Sequence, residues 1–310
     1  MNKKPNLNFK SIISFLLEIF PTEQACIDYF EEKRWKGKPT SPFDLNSQVY
    51  KCARNKYKCK NTGKYFSIRT GTVFENSKLP LQKWFLAFYL LSSNKKGISS
   101  RQLVKYISIT QKSAWFVLHR LRCAFKHPNF KAILKGFVEI DETFLGGKNK
   151  NRHWNKKVPN SQGRSWKDKV PVLGMIEREG NLICQVVPNT QQSTLEQIIN
   201  ANIKAGSDVY TDEWYRHSNL SENYNHQWIN HSAKQYVNNR TTTNSIENVW
   251  SHLKRGIYGI YHQISRKHTQ KYLDEFTLRF NTRKWDEQER FDLVLSSSIG
   301  MRLTYQQLTN

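Results

Sequence analysis

Three acids frame the chemistry this chain could do. Asp141 stands in GFVEIDETFLGGK (Gly136–Lys148), Asp212 in DVYTDEWY (Asp208–Tyr215) and Glu247 in TTTNSIENVWSHLKR (Thr241–Arg255). Val138 and Ile140 alternate with Glu139 and Asp141, the period of a strand, before Gly146-Gly147 signals a turn. An acid at the end of an apolar strand is costly to bury unless it binds something. Asp212 lies just past a short strand and Glu247 near a helix start. Carboxylates from three elements can meet only in the fold, and a divalent cation would hold them together. Mg²⁺ takes oxygen ligands in octahedral geometry and shares them with phosphate and water. Two such ions, roughly 3.5–4 Å apart, can activate a water or hydroxyl on one side of a phosphodiester and stabilise the leaving oxygen on the other.

Each acid also has an ordinary explanation. Asp141 could be a solvated strand-end acid, with Glu142 beside it as a rival. Asp212 has Asp208 and Glu213 as rivals, and an Asp after a strand is often a turn former. Asn244 and Glu247 come close to a capping box, which by itself explains both.

The elements around these acids begin with a strand ending at Asp141. A basic loop follows, KNKNRHWNKKVPNSQGRSWKDK (Lys148–Lys169), in which Lys148, Lys150, Arg152 and five further Lys or Arg face one acid, Asp168. Strands are expected over Val170–Ile176, Leu182–Val187, Asp208–Tyr210 and around Gln227–Asn230. Helices are expected over Thr194–Ala205, around Glu247 and over His268–Asn281. The order β-β-β-α-β-β-α implies a mixed sheet with helices on both faces.

Upstream, Phe9–Phe20 has helical spacing, and PTEQACIDYFEEKRW reads as a second helix. Gln48–Phe74 alternates aromatic or β-branched residues with Lys and Arg and reads as short strands. Leu81–Ser92 is a strongly apolar helix. Gly97–Phe125 then offers a helix over Arg101–Tyr106, a turn near Ser108–Thr110 and a helix over Gln111–Phe125. That length fits a helix-turn-helix, the second helix carrying Lys112, Ser113, His119, Arg120 and Arg122. A core hairpin with a solvated basic face fits the segment equally, and the charge of the whole chain favours DNA.

Lys plus Arg is 49 against 25 Asp plus Glu, a net charge of +24. That balance favours a polyanionic partner. No apolar run approaches the ~20 residues of a membrane span. The basic, partly apolar start is interrupted at Glu18 and Pro21 and lacks a small-residue cleavage site, which argues against a signal peptide. Five scattered cysteines are no disulfide framework, and a cytoplasmic, nucleoid-associated protein is expected.

VEIDETFLGG, TDEWY and TTTNSIENVWSHLKRGIYGIYHQISRKHTQKYLDEFTLRFNTR together resemble the catalytic domain of DDE-type insertion-sequence transposases, in the ISXO2-like branch related to the Merlin superfamily. The likeness extends upstream through FSIRTGTVFENSKLPLQKW and KKGISSRQLVKYISITQKSAWFVLHRLR, and so from about Phe20 to Arg283. It implies a multidomain α/β protein with an RNase H-like core and the triad Asp141, Asp212 and Glu247. It also implies Mg²⁺ or Mn²⁺, a helix-turn-helix for terminal inverted repeats, and DNA cleavage with strand transfer in a homo-oligomeric synaptic complex. A regulator without chemistry and a nuclease that never joins are the other classes. The implied organisation is a helical segment over 1–40, a ribbon-like β region over 41–76, the helix-turn-helix region over 77–130, the catalytic domain over 136–285 and a tail over 286–310. The segment up to about Pro128 is expected to bind the element's ends alone.

His231 fits a family position close to the scissile phosphate. Arg240 and Asn244 could line the site, Lys254 and Arg255 could bind phosphate, and Trp214 and Trp250 could stack an unpaired base or simply pack. The family's zinc ribbon needs two close pairs of soft ligands. By alignment these fall on Ser41 with Asp44 and Cys59 with Thr62, and only Cys59 matches, so structural zinc is not expected. Tyr50, Tyr57, Tyr65, Phe66, Val73 and Phe74 are expected to hold the strands by packing.

Overall fold

The structure, a computed structural model, describes residues 11, 14–126, 133–147, 149–159, 161, 165, 167–215, 218–229 and 242–309. In chain order the elements are α1 (Glu23–Trp35), β1 (Val49–Cys52), β2 (Lys56–Cys59), β3 (Tyr65–Ser67), α2 (Leu81–Ser93), α3 (Ser100–Ile107) and α4 (Gln111–Ala124). They continue as β4 (Phe137–Leu145), β5 (Val170–Glu177), β6 (Leu182–Val186), α5 (Gln192–Asn202), β7 (Asp208–Asp212) and β8 (Asn225–Ile229). Last come α6 (Asn244–Gly256), α7 (Thr269–Asn281), α8 (Glu287–Ser296) and α9 (Tyr305–Thr309). The chain forms two compact units, Met1–Phe130 with Lys284–Asn310, and Lys131–Arg283. Among the described residues no helix is long and apolar enough to cross a membrane.

In the first unit, the apolar helix α2 is buried nearly all round. Phe15, Phe20, Phe30 and Phe74 gather about its Phe85, Phe88 and Tyr89, each buried. β1, β2 and β3 form an antiparallel sheet in that order. Tyr57 and Phe66 pair across β2 and β3 with rings 5.6 Å apart, and Trp35 of α1 meets Tyr57 edge-on at 4.9 Å. Tyr50 and Tyr65 flank Lys58 in the sheet register and stay exposed, so they do not share in the packing expected of them. The alternation of a strand sends them to the face opposite Tyr57 and Phe66.

Cys59 is buried beside Ser41, Ser47 and Thr62. Burial alone would raise its thiol, and hydrogen bonds from the three hydroxyls and the Thr62 backbone outweigh that, holding it down at about 6. Asp44 accepts a 2.7 Å bond from Asn61, and Asn46 N–H bonds the same carboxylate at 3.0 Å.

Helices α3 and α4 are joined by Ser108–Thr110, with Ser108 left-handed at φ 50° and Thr110 capping α4 through Ser113 N–H at 3.2 Å. The first turn of α4 (Gln111, Lys112, Ser113) is exposed and the rest sinks into the unit. His119, Arg120 and Arg122 are therefore core residues and not part of an exposed basic face. His119 meets Trp115 edge-on at 4.4 Å. The Arg120 guanidinium lies 5.2 Å over the Trp84 ring and donates to Glu75 O at 2.6 Å. Burial lowers Arg120 to about 10, against the pull of Glu75.

The segment expected as a tail closes this unit. Phe291 of α8 is wholly buried, 5.4 Å from Phe15, 5.8 Å from Phe20 and 5.4 Å from Phe85. Asp292 accepts from Tyr29 and Lys33, and Val73 N–H bonds Ser298 O at 3.1 Å. A fragment ending at Pro128 would lack all of these contacts.

In the second unit, a five-stranded sheet runs β6-β5-β4-β7-β8. β4 pairs antiparallel with β5 and parallel with β7, so the sheet is mixed. Strand parity divides the apolar residues between two cores. Val138, Ile140, Leu173, Met175 and Val209 pack with Leu195 and Ile199 of α5 on one face. Val172, Ile176, Leu182 and Cys184 pack with Ile246, Val249, Trp250 and Leu253 of α6 and Leu273 of α7 on the other. β4 does not end at Asp141. It continues to Leu145, paired with Val170, because Thr143 and Leu145 are themselves buried.

Candidate functional site: a carboxylate pair between two parallel strands

Phe137↔Asp208, Val138↔Val209 and Glu139↔Tyr210 set a constant offset of 71 positions between β4 and β7. The same offset separates Asp141 from Asp212, two positions beyond the last pair, so the two acids share one face, near enough for the Asp212 charge to act on Asp141. Neighbouring strands lie about 4.8 Å apart. The rivals fall elsewhere. Glu142 belongs to the opposite parity of β4 and accepts a hydrogen bond from the buried Tyr215 hydroxyl. Burial first, then the Glu142 charge, drives that phenol well above its ordinary value. Asp208 lies at the far end of β7, bonded by Asn225 Nδ2 at 3.2 Å, and Glu213 is exposed at the start of the turn that follows β7.

Glu139 shares the face of Asp141 and is fully buried. Its carboxylate accepts from Ser245 N–H at 2.8 Å, Ile246 N–H at 3.2 Å, the Ser245 hydroxyl at 3.0 Å and Arg178 Nε at 3.0 Å. The Arg178 guanidinium also lies 4.9 Å over the Tyr210 ring and reaches Thr242 O at 3.4 Å. Strand β4 thus caps α6, satisfying N–H groups that a helix start leaves unpaired. Thr243, the residue before α6, donates to Glu247 Oε1 at 3.3 Å but caps no backbone N–H. The Asn244–Glu247 pair is therefore not the capping box its spacing suggested, and Glu247 stands on the exposed side of α6.

Trp250 is buried, and its Nε1 donates to Asp141 Oδ2 at 2.9 Å. Room for that indole comes from Gly174, directly across β5 from Asp141. A Cβ at Gly174 would stand 2.3 Å from Trp250 Cη2 and 2.9 Å from Ile246 Cδ1. Gly174→Ala is expected to cost about 1–3 kcal/mol by overpacking. A second change, Trp250→Phe, should recover much of that loss in urea unfolding, as coupled neighbours do. Simple additivity of the two would show that indole and glycine are not partners. Sequence reading missed Glu139, Arg178 and Gly174 and gave Trp250 no bond to Asp141. A glycine inside an apolar strand was the available signal, since it marks close approach.

Burial, then the Asp212 charge, raises Asp141 to about 6, against the Trp250 bond, and Glu247 adds to the rise. The donors are all carboxylate oxygens, which suit a hard cation. Among the described residues no three His, Cys, Asp or Glu side chains stand close enough to share one ion. The fit is thus to a cation held by the Asp141–Asp212 pair with water or phosphate, as small hard ions are often held.

The remaining candidates are scattered. His231, Arg240 and Lys148 lie outside the described residues, as does the Trp214 side chain. Lys150 is exposed, while Arg152 is half-buried and bonds Asp168 O at 3.0 Å. Lys254 is half-buried and Arg255 exposed on α6, the latter donating to Ser251 O at 3.2 Å. Lys112 and Ser113 lie in the other unit, with Lys112 Nζ 5.2 Å over Tyr305.

Comparison with known proteins agrees with this architecture. Residues 133–281, which contain the whole sheet and the acids, match the ISXO2-like transposase domain. A protein of the transposable element ISH50 of Halobacterium salinarum is 25% identical over 297 residues, covering 91% of this chain and 99% of its own. A transposase-like protein of Haemophilus influenzae is 38% identical over 97 residues, 31% of this chain and 77% of its own. With its central domain matched and its relatives of this kind, the chain belongs to the ISXO2-like transposase family.

Proposed function

We propose that this transposase cuts and joins DNA by divalent-metal-dependent phosphoryl transfer, with Asp141, Asp212 and Glu247 as its acidic triad. The observation that carries the reading is the placement of Asp141 beside Asp212 on adjacent parallel strands, with burial and like charge raising Asp141 to about 6. A site that gathers like-charged carboxylates from adjacent strands is suited to a cation. Mg²⁺ or Mn²⁺ would supply Lewis-acid activation of the attacking oxygen and stabilisation of the leaving one. Asp141 and Asp212 would hold it, with Glu247 brought in from α6. Trp250 orients Asp141, and Glu139 fixes the start of the helix that carries Glu247. Water serves as nucleophile for the first cut and a 3′-hydroxyl for joining, with His231 at the phosphate.

The first unit is proposed to bind the terminal inverted repeats through α3 and α4. Recognition helices touch base edges with their N-terminal residues, and the exposed part of α4 is its first turn, Gln111–Ser113. Arg101 and Lys105 of α3 are exposed beside it as phosphate contacts. His119, Arg120 and Arg122 drop out of the contact set because they are buried. In the second unit Lys150, Arg152, Lys254 and Arg255, with Lys148 and Arg240, are proposed to track the DNA backbone. The ribbon-like sheet is proposed to work without zinc, Ser41 and Thr62 giving Cys59 hydrogen bonds where a metal would need thiolates. Function as a homo-oligomer on paired ends is part of the same proposal.

The test uses the full chain with duplexes carrying the inverted repeats that flank its gene, a target plasmid and Mg²⁺. Liberated 3′ ends joined to the plasmid are the expected products. Cut ends that are never joined would make it a nuclease, and binding without cutting a regulator; either result overturns the proposal.

A further inference from the structure

Trp154 is 86% exposed, the most exposed large hydrophobic side chain among the described residues. It lies between β4 and β5, whose last pair is Leu145↔Val170. The surrounding loop is built rather than slack. The Asn149 side chain donates to Val158 O at 2.8 Å and accepts from Val158 N–H at 3.0 Å, closing the stretch between them. Within it Arg152 N–H bonds Asn149 O at 3.1 Å and Lys156 N–H bonds His153 O at 2.9 Å, two tight turns in succession. Arg152 ties the loop to the β5 side through Asp168 O at 3.0 Å. Asp168, the single acid of Lys148–Lys169, is thereby turned inward, its side chain wholly buried. Burial would raise that carboxyl, but Ser161, Arg152, Ser165 and Lys169 hold it below its ordinary value. Lys150, His153, Lys156 and Lys157 surround Trp154 in the chain and are exposed.

An indole held out in water on a closed loop loses apolar burial with no gain to the fold. The neighbouring lysines repel a basic partner and attract phosphate. Aromatic side chains interleaved with basic ones are how proteins hold unpaired bases, since every base has a stackable face. Bases within a duplex already have both faces covered, so an indole finds a free face on a base out of the stack. We propose that Trp154 is a stacking site for an unpaired DNA base, with Lys150, Lys156 and Lys157 holding the adjoining phosphates. The inference rests on the transposase reading above. The loop leaves the sheet at the same edge as the acids, because β4 and β7 are parallel. Asp141 to Leu145 is four residues of strand, about 13 Å, or roughly four base steps at ~3.4 Å each. The loop that carries Trp154 therefore leaves the sheet within that distance of the acids.

The test measures binding of the full chain, in EDTA, to a blunt 30-base-pair duplex and to the same duplex with one frayed end carrying 2-aminopurine. Wild type is expected to prefer the frayed duplex by about tenfold and to quench the 2-aminopurine. Trp154→Ala should bind the blunt duplex within about twofold of wild type yet lose the preference and the quenching. Trp154→Phe should keep part of both. A preference that survives Trp154→Ala overturns the inference. So does a drop in oligomeric state on that substitution, which would assign the indole to contact between copies. Binding of both duplexes without preference sinks this inference alone. Failure of wild type to bind either one sinks the transposase reading with it.

Discussion

In EDTA the Asp141→Asn protein will unfold at a higher temperature than wild type, and in Mg²⁺ it will not cut DNA. Without a cation, Asp141 is a partly buried carboxylate near Asp212, and burial and that like charge, which raise it to about 6, both disfavour its charged form. Asn keeps an oxygen for the Trp250 indole and removes the charge. The gain is expected to be about 1–3 kcal/mol at neutral pH. Millimolar Mg²⁺ or Mn²⁺ should stabilise wild type by binding the folded state alone and leave Asp141→Asn nearly unmoved. Thermal melts with and without metal, beside a cleavage assay, read both halves. An Asn variant that is less stable than wild type in EDTA, or equal stabilisation of both proteins by metal, would mean that the pair is not a cation site.

The largest loss of stability is expected at Glu139. Four donors converge on its carboxylate, and Ala leaves two helix-start N–H groups, a hydroxyl and a guanidinium without their acceptor. Breaking one side of such a buried pair costs about 3–5 kcal/mol, which corresponds to roughly 10 °C in the melting of a unit this size. Glu139→Gln should also be costly, because its amide NH₂ must face a donor. Hydrogen exchange at Ser245 and Ile246 would accelerate in both variants, and cleavage would fall because Glu247 rides on the same helix. Urea unfolding of Glu139→Ala that shifts by under about 1 kcal/mol would show that the cap has a substitute.

The element order from Gly136 to Asn281 is legible in the sequence because each strand is a short apolar run and each helix has a polar side. The same runs hide what lies across from them. Alternation in VEIDE reads as a strand with one wet face, whereas α6 covers that face and turns Glu139 into a cap. In α4 the basic residues follow helical spacing, and nothing local tells that Trp84 and Glu75 wait for Arg120. The acids themselves are legible only jointly, since each also suits a turn or a cap. Their adjacency comes from the parallel register of β4 and β7, which no single stretch contains. The role of residues 284–310 is hidden for a like reason. Phe291 opens a short apolar run whose seat is not legible until its neighbours, Phe15, Phe20 and Phe85, are known.

That last contact orders events on the ribosome. The unit that begins the chain needs Phe291, which is made only after the whole of Lys131–Arg283. At ~5–20 residues per second the aromatic seat around Phe15 and Phe20 stays open for several seconds or longer after its own walls have emerged. A nascent chain, or one cut short by a frameshift within the central unit, therefore carries an unfinished first unit.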